Sequence, residues 1–198
     1  MNQPVHTAHF AVRLPGVPLE QVGSFLVSVE HFLRLNPYLE IKAWEQISHP
    51  RVFIWRLQDY NEFNGILADR TLWIRPLDTG NGYRLEYREG FKESTLVHWW
   101  QDQEGVTVVE LQESYRNAAN KDVEASMQQV DGSLPAWANS LANHFLSLQK
   151  WGFIPLFRWY RHKWLTLTPS QRRVLHWALW AIPLELVVVL VVLMAWLL

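Results

Sequence analysis

The chain has 198 residues, enough for one domain of ordinary size and an appendage. It contains no cysteine, which excludes disulfides, thiolate metal sites and a cysteine nucleophile. The net charge of −1 is unevenly divided, because residues 1–132 carry 12 Lys or Arg and 18 Asp or Glu, whereas residues 133–198 carry six Lys or Arg and one acid. Nucleic acid is therefore not expected as a partner, since phosphates bind to a basic patch on a folded domain.

The N-terminal part predicts a strand and then a helical pair. No basic region followed by an apolar one opens the chain, so we expect no secretory signal. Residues from His6 to Leu14 alternate as in a strand. Apolar residues between Leu19 and Leu35 recur at helical spacing. The dipeptide Asn36–Pro37 predicts the end of this helical region.

Six further segments read as strands because they are rich in Val, Ile, Trp, Tyr and Thr. They are Leu39–Ile47, Arg51–Tyr60, Ile66–Pro76, Tyr83–Phe91, Ser94–Gln103 and Val106–Arg116. Short turn sequences such as NEFNG and DTGNG separate them. This spacing with short turns predicts an antiparallel meander.

A long helix is predicted after the polar stretch 117–132. Between Leu134 and Lys150 the large apolar residues fall on one stripe, and Ser133 is a candidate N-cap. The sheet has more area than the helices, so we expect it to curl around this helix and to leave an apolar cavity between them. Residues 1–150 are thus predicted to form an α+β domain with a curved antiparallel sheet of about seven strands.

This order of elements resembles the START-like, Bet v 1-like (SRPBCC) helix-grip superfamily, which includes polyketide cyclase-like and coenzyme Q-binding proteins. The resemblance rests on HFAVRLPGVPLEQVGSFLVSVEHFLRLNPYLE, on the strands through ADRTLWIRPL and VTVVELQESYRN, and on the helix LPAWANSLANHFLSLQKW. A membrane-anchored branch, the carbon monoxide dehydrogenase accessory proteins, is similar in outline. No motif assigns the chain to one branch, so the resemblance implies a fold and no particular ligand.

Eight residues are predicted to line the cavity as ligand-binding residues. They are Trp55, Leu72, Tyr87, His98, Trp100, Leu111, Leu141 and Phe145. Strand alternation places His98 on one face with Leu96 and Trp100. On a concave face His98 would orient a carbonyl or hydroxyl group of a ligand, whereas the alternative is a surface or hydrogen-bonded sheet histidine.

His98, Asp69 and Tyr87 are the candidate catalytic residues for acid–base chemistry of a cyclase or aromatase. For Asp69 and its neighbour Arg70, an ion pair with a cross-strand residue is the simpler explanation. The sequence shows no nucleophile elbow, phosphate loop or metal-ligand spacing. We therefore expect no metal site and no cofactor.

The C-terminal residues 174–198 predict a single transmembrane helix. A bilayer core needs about 20 helical residues, and residues 182–198 are apolar except for Glu185. Cations precede this segment at Arg158, Arg161, Lys163, Arg172 and Arg173. By the positive-inside rule they keep the N-terminal domain cytoplasmic, so we expect a single-pass protein of a bacterial inner membrane.

Glu185 and the linker 151–173 carry the remaining predictions for this end. A carboxylate inside a span costs about 2.5–3.5 kcal/mol, so Glu185 is interpreted either as a contact with another membrane protein or as a tolerated polar residue. The linker alternates aromatic residues with cations, which is typical of a segment lying on membrane lipid.

Together these patterns favour a membrane-anchored module that binds or carries a lipophilic small molecule, such as a quinone, an isoprenoid or another lipid. Two alternatives stay open. One is a polyketide cyclase- or aromatase-like enzyme, and the other is an accessory subunit of a larger membrane complex.

Overall fold

The computed structural model describes residues 6–47, 51–59, 66–89, 92–115 and 133–197. The strands in these ranges are β1 His6–Leu14, β2 Leu39–Gln46, β3 Val52–Asp59, β4 Ile66–Pro76, β5 Gly82–Tyr87, β6 Lys92–Gln101 and β7 Thr107–Tyr115. The helices are α1 Leu19–Leu26, α2 Val29–Arg34, α3 Ser133–Trp151, α4 Pro155–Thr166 and α5 Pro169–Leu197.

The seven strands form one antiparallel sheet in the order β1-β7-β6-β5-β4-β3-β2. Strands β2 to β7 follow one another as a meander, and β1 pairs with β7. The predicted α+β class and strand number are confirmed. The predicted strand ends at Tyr60, Phe91 and Arg116 lie outside the described residues.

The predicted helical region at Leu19–Leu35 consists of two short helices, α1 and α2. The chain breaks between them at Val27 and Ser28, where the Val27 side chain is 71% exposed. Each helix restarts its own apolar stripe: α1 buries Val22 and Leu26, and α2 buries its own side chains, among them Phe32. The break lets both helices turn an apolar face to the sheet.

Helices α1, α2 and α3 pack on one face of the sheet and form a single apolar core with it, to which α4 adds Leu165. Trp137 of α3 stacks on Phe32 of α2 with ring centroids 4.4 Å apart, and its indole nitrogen donates to the Phe32 carbonyl at 3.1 Å. Leu141 and Phe145 continue the buried stripe of α3, each at most 1% exposed. Full burial of such side chains contributes about 1.5–3 kcal/mol each to folding.

Helix α3 ends at Trp151, and α4 begins with Pro155 in its first turn. Gly152 lies between them, where an added Cβ would come within 2.2 Å of the Leu148 carbonyl oxygen. Leu165 of α4 is buried in the core. The sequence thus places a break where glycine and proline predict one.

Helix α5 begins with a capping box at Thr168. The Gln171 amide donates to the Thr168 hydroxyl oxygen at 3.2 Å, and the Thr168 amide donates to Gln171 Oε1 at 2.9 Å. Within the described part of the chain, we find no helix that combines the length and the apolarity needed to cross a membrane. The transmembrane helix predicted at residues 174–198 is therefore not confirmed.

Candidate ligand site in the domain interior

Polar side chains meet inside the domain where β5, β6 and β7 pair. We call this set the interior polar cluster: Tyr87 of β5, Lys92 and Thr95 of β6, and Glu113 and Tyr115 of β7. Each of them except Lys92 is buried, and Glu113 is fully enclosed. Burying a carboxylate costs free energy unless the group is paired and hydrogen-bonded.

Strand alternation explains why β7 contributes two members. Val109 and Leu111 face the core, and Glu113 and Tyr115 continue the same face at two-residue steps. Lys92 reaches this face because β6 has a register shift between Lys92 and Ser94, which pairs Lys92 with Tyr115. A bulge of this kind redirects a side chain that regular pleating would turn away.

The carboxylate of Glu113 is held by three donors. Lys92 Nζ and the Thr95 hydroxyl donate to Oε1, the latter at 3.5 Å, and the Tyr115 hydroxyl donates to Oε2. The hydroxyl groups of Tyr87 and Thr95 share a hydrogen bond of 3.0 Å. The cluster is thus a connected network that fixes the positions of two tyrosines and a lysine.

Aromatic rings surround the ammonium group of Lys92. Its Nζ lies 5.8 Å from the ring centroids of both Tyr87 and Trp137, within the range of cation–π attraction. Burial raises the pKa of Tyr87, and the nearby Lys92 charge and the Thr95 hydrogen bond partly offset that rise. Tyr87 is therefore a neutral hydrogen-bonding group at physiological pH.

Two buried donors next to the cluster lack partners. The indole nitrogen of Trp55 and the hydroxyl of Tyr83 have no hydrogen-bond partner among the described residues. Trp55 stacks on Tyr87 with ring centroids 6.0 Å apart. The pKa of Tyr83 is raised well above its usual value, mainly by burial and also by the neighbouring Tyr87. Each unpaired buried donor costs about 1–3 kcal/mol, which an acceptor within hydrogen-bond reach of that donor would recover.

Six of the eight predicted ligand-binding residues lie in the core, four on the helix-facing side of the sheet and two on α3. They are Trp55, Leu72, Tyr87, Leu111, Leu141 and Phe145. Their contact with a ligand stays a prediction.

The other two, His98 and Trp100, lie on the opposite face of the sheet, so their predicted orientation is wrong. In β6 the buried residues are Thr95, Val97 and Trp99, whereas His98 and Trp100 are only half-buried. Both faces of this strand carry aromatic residues, so the alternation alone leaves the inward face undecided. The rings of His98 and Trp100 stack on each other outside, with centroids 4.9 Å apart.

The catalytic candidates are not brought together. Asp69 is exposed and accepts two hydrogen bonds from Arg56, its cross-strand partner, at 2.7 and 2.9 Å. Those hydrogen bonds hold the pKa of Asp69 below its usual value. His98 faces Glu110 on the outer surface, with Nδ1 3.8 Å from Oε2. Only Tyr87 of the three points inward, so an acid–base site built from all three is excluded.

The largest hollow that we describe lies elsewhere, in a crevice of about 650 Å³ between α3, α4 and the start of α5. A smaller hollow of about 350 Å³ is lined by Trp73, Arg75, Glu86, Tyr87 and Arg88, of which Tyr87 belongs to the core. Neither is the predicted apolar cavity between the sheet and α3. Between the sheet and α3, the rings of Trp44 and Tyr87 pack against Trp55, with centroids 6.1 and 6.0 Å away.

Sequence reasoning missed Tyr83, Lys92, Thr95 and Glu113 as interior polar groups. For Glu113 a signal was present, because it continues the alternation of Val109 and Leu111. Lys92 gave no such signal, since its inward position depends on a bulge.

Comparison with known proteins identifies the fold. No protein-family model and no curated protein matches the sequence. Among solved structures, a START superfamily protein from Mycobacterium smegmatis matches with a TM-score of 0.54 and 12% identity, over 72% of this chain and 99% of that one. The Zhui aromatase/cyclase from Streptomyces sp. R1128 matches with a TM-score of 0.52 and 14% identity, over 73% and 96%.

The protein Ara h 8.0201 also matches, with a TM-score of 0.50 and 16% identity, over 73% of this chain and 99% of that one. The chain therefore has the START-like, Bet v 1-like helix-grip fold that the sequence predicted. At such identities the likeness concerns the fold, and function has to be argued from the site.

Proposed function

We propose that the protein binds a lipophilic small molecule that carries a hydrogen-bond acceptor, in the interior between the sheet and α3. The observation that carries this proposal is the pair of unpartnered buried donors, Trp55 Nε1 and the Tyr83 hydroxyl, beside the interior polar cluster. The walls around them are aromatic and aliphatic, which suits a quinone, an isoprenoid or another lipid.

The donors specify what the ligand has to offer. Trp55 Nε1 can only donate, so its partner must be an acceptor such as a carbonyl or ether oxygen. The Tyr83 hydroxyl is held neutral by burial and can likewise donate to an acceptor of the ligand. A ligand without an acceptor would leave both donors unsatisfied and would therefore bind more weakly than a quinone of equal size.

A substitution at Tyr83 tests this proposal directly. The full chain in mild detergent is titrated with decylubiquinone, a quinone with a ten-carbon tail, and the Tyr83→Phe variant is compared with Tyr160→Phe in α4. We expect Tyr83→Phe to weaken quinone binding by up to about tenfold without lowering stability, because it removes only an unpaired hydroxyl. Tyr160→Phe should bind as the parent does. Equal affinities for all three proteins, or no binding, would overturn the proposal.

The enzyme alternative has less support from the geometry. Both carboxylate oxygens of Glu113 already accept hydrogen bonds within the cluster, and Asp69 and His98 lie outside. A general base needs a free position within reach of the substrate proton. The interior polar cluster is therefore better suited to holding a polar end of a ligand than to proton transfer.

We further propose that the domain works at the cytoplasmic face of a membrane and is held there through α5. The support is the exposure of large apolar side chains along this helix, including Trp177 at 76%, Val192 at 61% and Trp196 at 84%. Exposed apolar patches of this kind mark protein or membrane contacts. The cations at 158–173 support the cytoplasmic side. Glu185, exposed on α5, remains the predicted contact for a membrane partner.

Fractionation tests the membrane proposal. The full chain should sediment with bacterial membranes and resist a carbonate wash. The double variant Val188→Lys/Val192→Lys, which charges two exposed positions of α5, should be released. Val27→Lys charges an exposed position on the domain surface and should behave as the parent does. Recovery of the parent chain in the supernatant would contradict membrane attachment.

A further inference from the structure

A basic crevice lies between the end of α2, α3, α4 and the start of α5, with a volume of about 650 Å³. Its polar lining comprises Tyr38, Ser140, Asn143, Arg161, Arg172 and Arg173, and within the described part of the chain no acidic residue lines it. The crevice shares no lining residue with the interior polar cluster, so it is a separate feature.

Arg161 is the lining residue whose buried side chain is incompletely hydrogen-bonded. Its Nε is buried and has no hydrogen-bond partner among the described residues, while Nη2 donates to Nδ1 of His144 at 3.0 Å. The pKa of His144 is lowered to about 3, mainly by burial and also by the charge of Arg161. His144 is therefore a neutral acceptor and brings no negative charge to this guanidinium.

Arg172 is held in place by the backbone of α4. Its Nε donates to the Trp164 carbonyl at 3.0 Å and its Nη2 to the Leu165 carbonyl at 3.3 Å. The pKa of Arg172 is lowered to about 10, mainly by burial and also by the charges of Arg34 and Arg161. Arg172 therefore still carries its charge at neutral pH. Arg34 itself is neutralised by Glu30, at 2.7 Å across one helical turn.

The crevice therefore holds three guanidinium groups without a countercharge in its lining. Like charges this close repel, and the repulsion is weakened only when an anion enters. Guanidinium groups match the oxygens of a phosphate with paired, charge-assisted hydrogen bonds. Because Arg161 and Arg172 are fixed by their other contacts, little side-chain freedom remains to be lost when an anion binds.

We propose that the basic crevice is a binding site for a phosphate group, which Arg161, Arg172 and Arg173 contact together. The same chemistry comes from two sources, a free phosphate and the headgroup of an anionic phospholipid. The crevice opens beside Trp164 and the first turn of α5, so a headgroup site there would place lipid next to the apolar helix. The proposal does not depend on the interior ligand site.

Phosphorus NMR titration of the full chain in neutral detergent tests the site. The probes are inorganic phosphate and dihexanoyl phosphatidic acid. Arg161→Gln removes the buried guanidinium group. Arg173→Gln removes an exposed guanidinium group for which no intramolecular hydrogen bond is described. The Arg173 variant therefore keeps the test valid if Arg161→Gln impairs folding. Lys163→Gln removes the same charge from an exposed position of α4 outside the crevice.

We expect the parent to bind both probes, Arg161→Gln and Arg173→Gln each to weaken binding by about tenfold, and Lys163→Gln to leave it unchanged. Tighter binding of the phosphatidic acid identifies the source as a lipid headgroup, and equal binding identifies free phosphate. The proposal is overturned if neither probe binds at millimolar concentration, or if Lys163→Gln weakens binding as much as the crevice variants do.

Discussion

Lys92 and Glu113 form an ion pair inside the domain, where the ammonium group of Lys92 donates to Oε1 of a carboxylate that is fully buried. The pair joins the start of β6 to the end of β7 and orients Tyr115 through the same carboxylate. It is the polar centre around which the proposed ligand site is built.

Removing one partner of this pair should be costly. Lys92→Met leaves the Glu113 carboxylate buried without its cation, which destabilises proteins by about 3–5 kcal/mol. The double variant Lys92→Met/Glu113→Gln should recover a large part of that loss, because no charge is left buried. Urea unfolding of the single and double variants measures the coupling between the two residues.

The exposed pair Arg56–Asp69 on the outer face gives a matched control. Arg56→Met should change the free energy of unfolding far less than Lys92→Met does, because water replaces the lost partner. If Lys92→Met is as stable as its parent, the buried carboxylate of Glu113 does not need the ion pair with Lys92.

His144 predicts a specific dependence of stability on pH. Its folded-state pKa of about 3 lies below the usual value of 6.5, so the folded protein binds this proton less readily than the unfolded chain. The stabilisation is complete above pH 6.5 and is lost as the pH falls from 6.5 towards 3. His144→Gln keeps an acceptor for Arg161 and should reduce the slope in this window by up to about 1.4 kcal/mol per pH unit.

The measurement is the free energy of unfolding at a series of pH values in this window. Asn139→Gln, at an exposed position of α3, neither adds nor removes a titratable group, so it is the control and should leave the slope as it is. An unchanged slope in His144→Gln would mean that His144 titrates alike in both states.

The outward position of His98 predicts that it is dispensable for ligand binding. His98→Ala removes a ring that stacks on Trp100 outside the core, so the affinity for decylubiquinone should not change. Tyr87→Phe removes a hydroxyl from the interior network and should weaken binding. Calorimetric titration with decylubiquinone measures the affinity of both variants. Weaker binding by His98→Ala together with unchanged binding by Tyr87→Phe would indicate that His98 faces the ligand.

Gly152 predicts a steric limit at the junction of α3 and α4. An alanine Cβ would lie 2.2 Å from the Leu148 carbonyl oxygen, so the backbone must shift. We expect Gly152→Ala to lower the free energy of unfolding by about 1–3 kcal/mol, the usual range for overpacking. Asn139→Ala, at an exposed position of α3, introduces no such contact and serves as the control in thermal unfolding. Equal melting temperatures for both variants would contradict the steric limit.

Element type and order were readable from the sequence because they depend on local periodicity. The stripe from Leu134 to Phe145 and the alternation around Leu111 each identify their buried face without tertiary information. In β6 the same reasoning failed, since Leu96 and Trp100 on one face match Val97 and Trp99 on the other in apolarity. Only the packing of α1 against β6 decides between them.

The sites depended on relations that local patterns do not carry. Lys92 faces inward because of a bulge, and its partner Glu113 is 21 residues away along the chain. The basic crevice combines Arg161 with Arg172 from two helices whose mutual placement follows from a turn at residues 167–168. In the sequence these cations indicate membrane topology and contact with lipid, and their convergence is visible only in three dimensions.

The most direct test of the central claim is mass spectrometry of what co-purifies with the full chain in mild detergent. We predict a lipophilic molecule with an oxygen acceptor, present in near-stoichiometric amount with the parent and with Tyr160→Phe, and reduced with Tyr83→Phe. A parent protein that retains its fold and carries no such molecule, or one carried equally by Tyr83→Phe, would contradict an interior site organised around Trp55 and Tyr83.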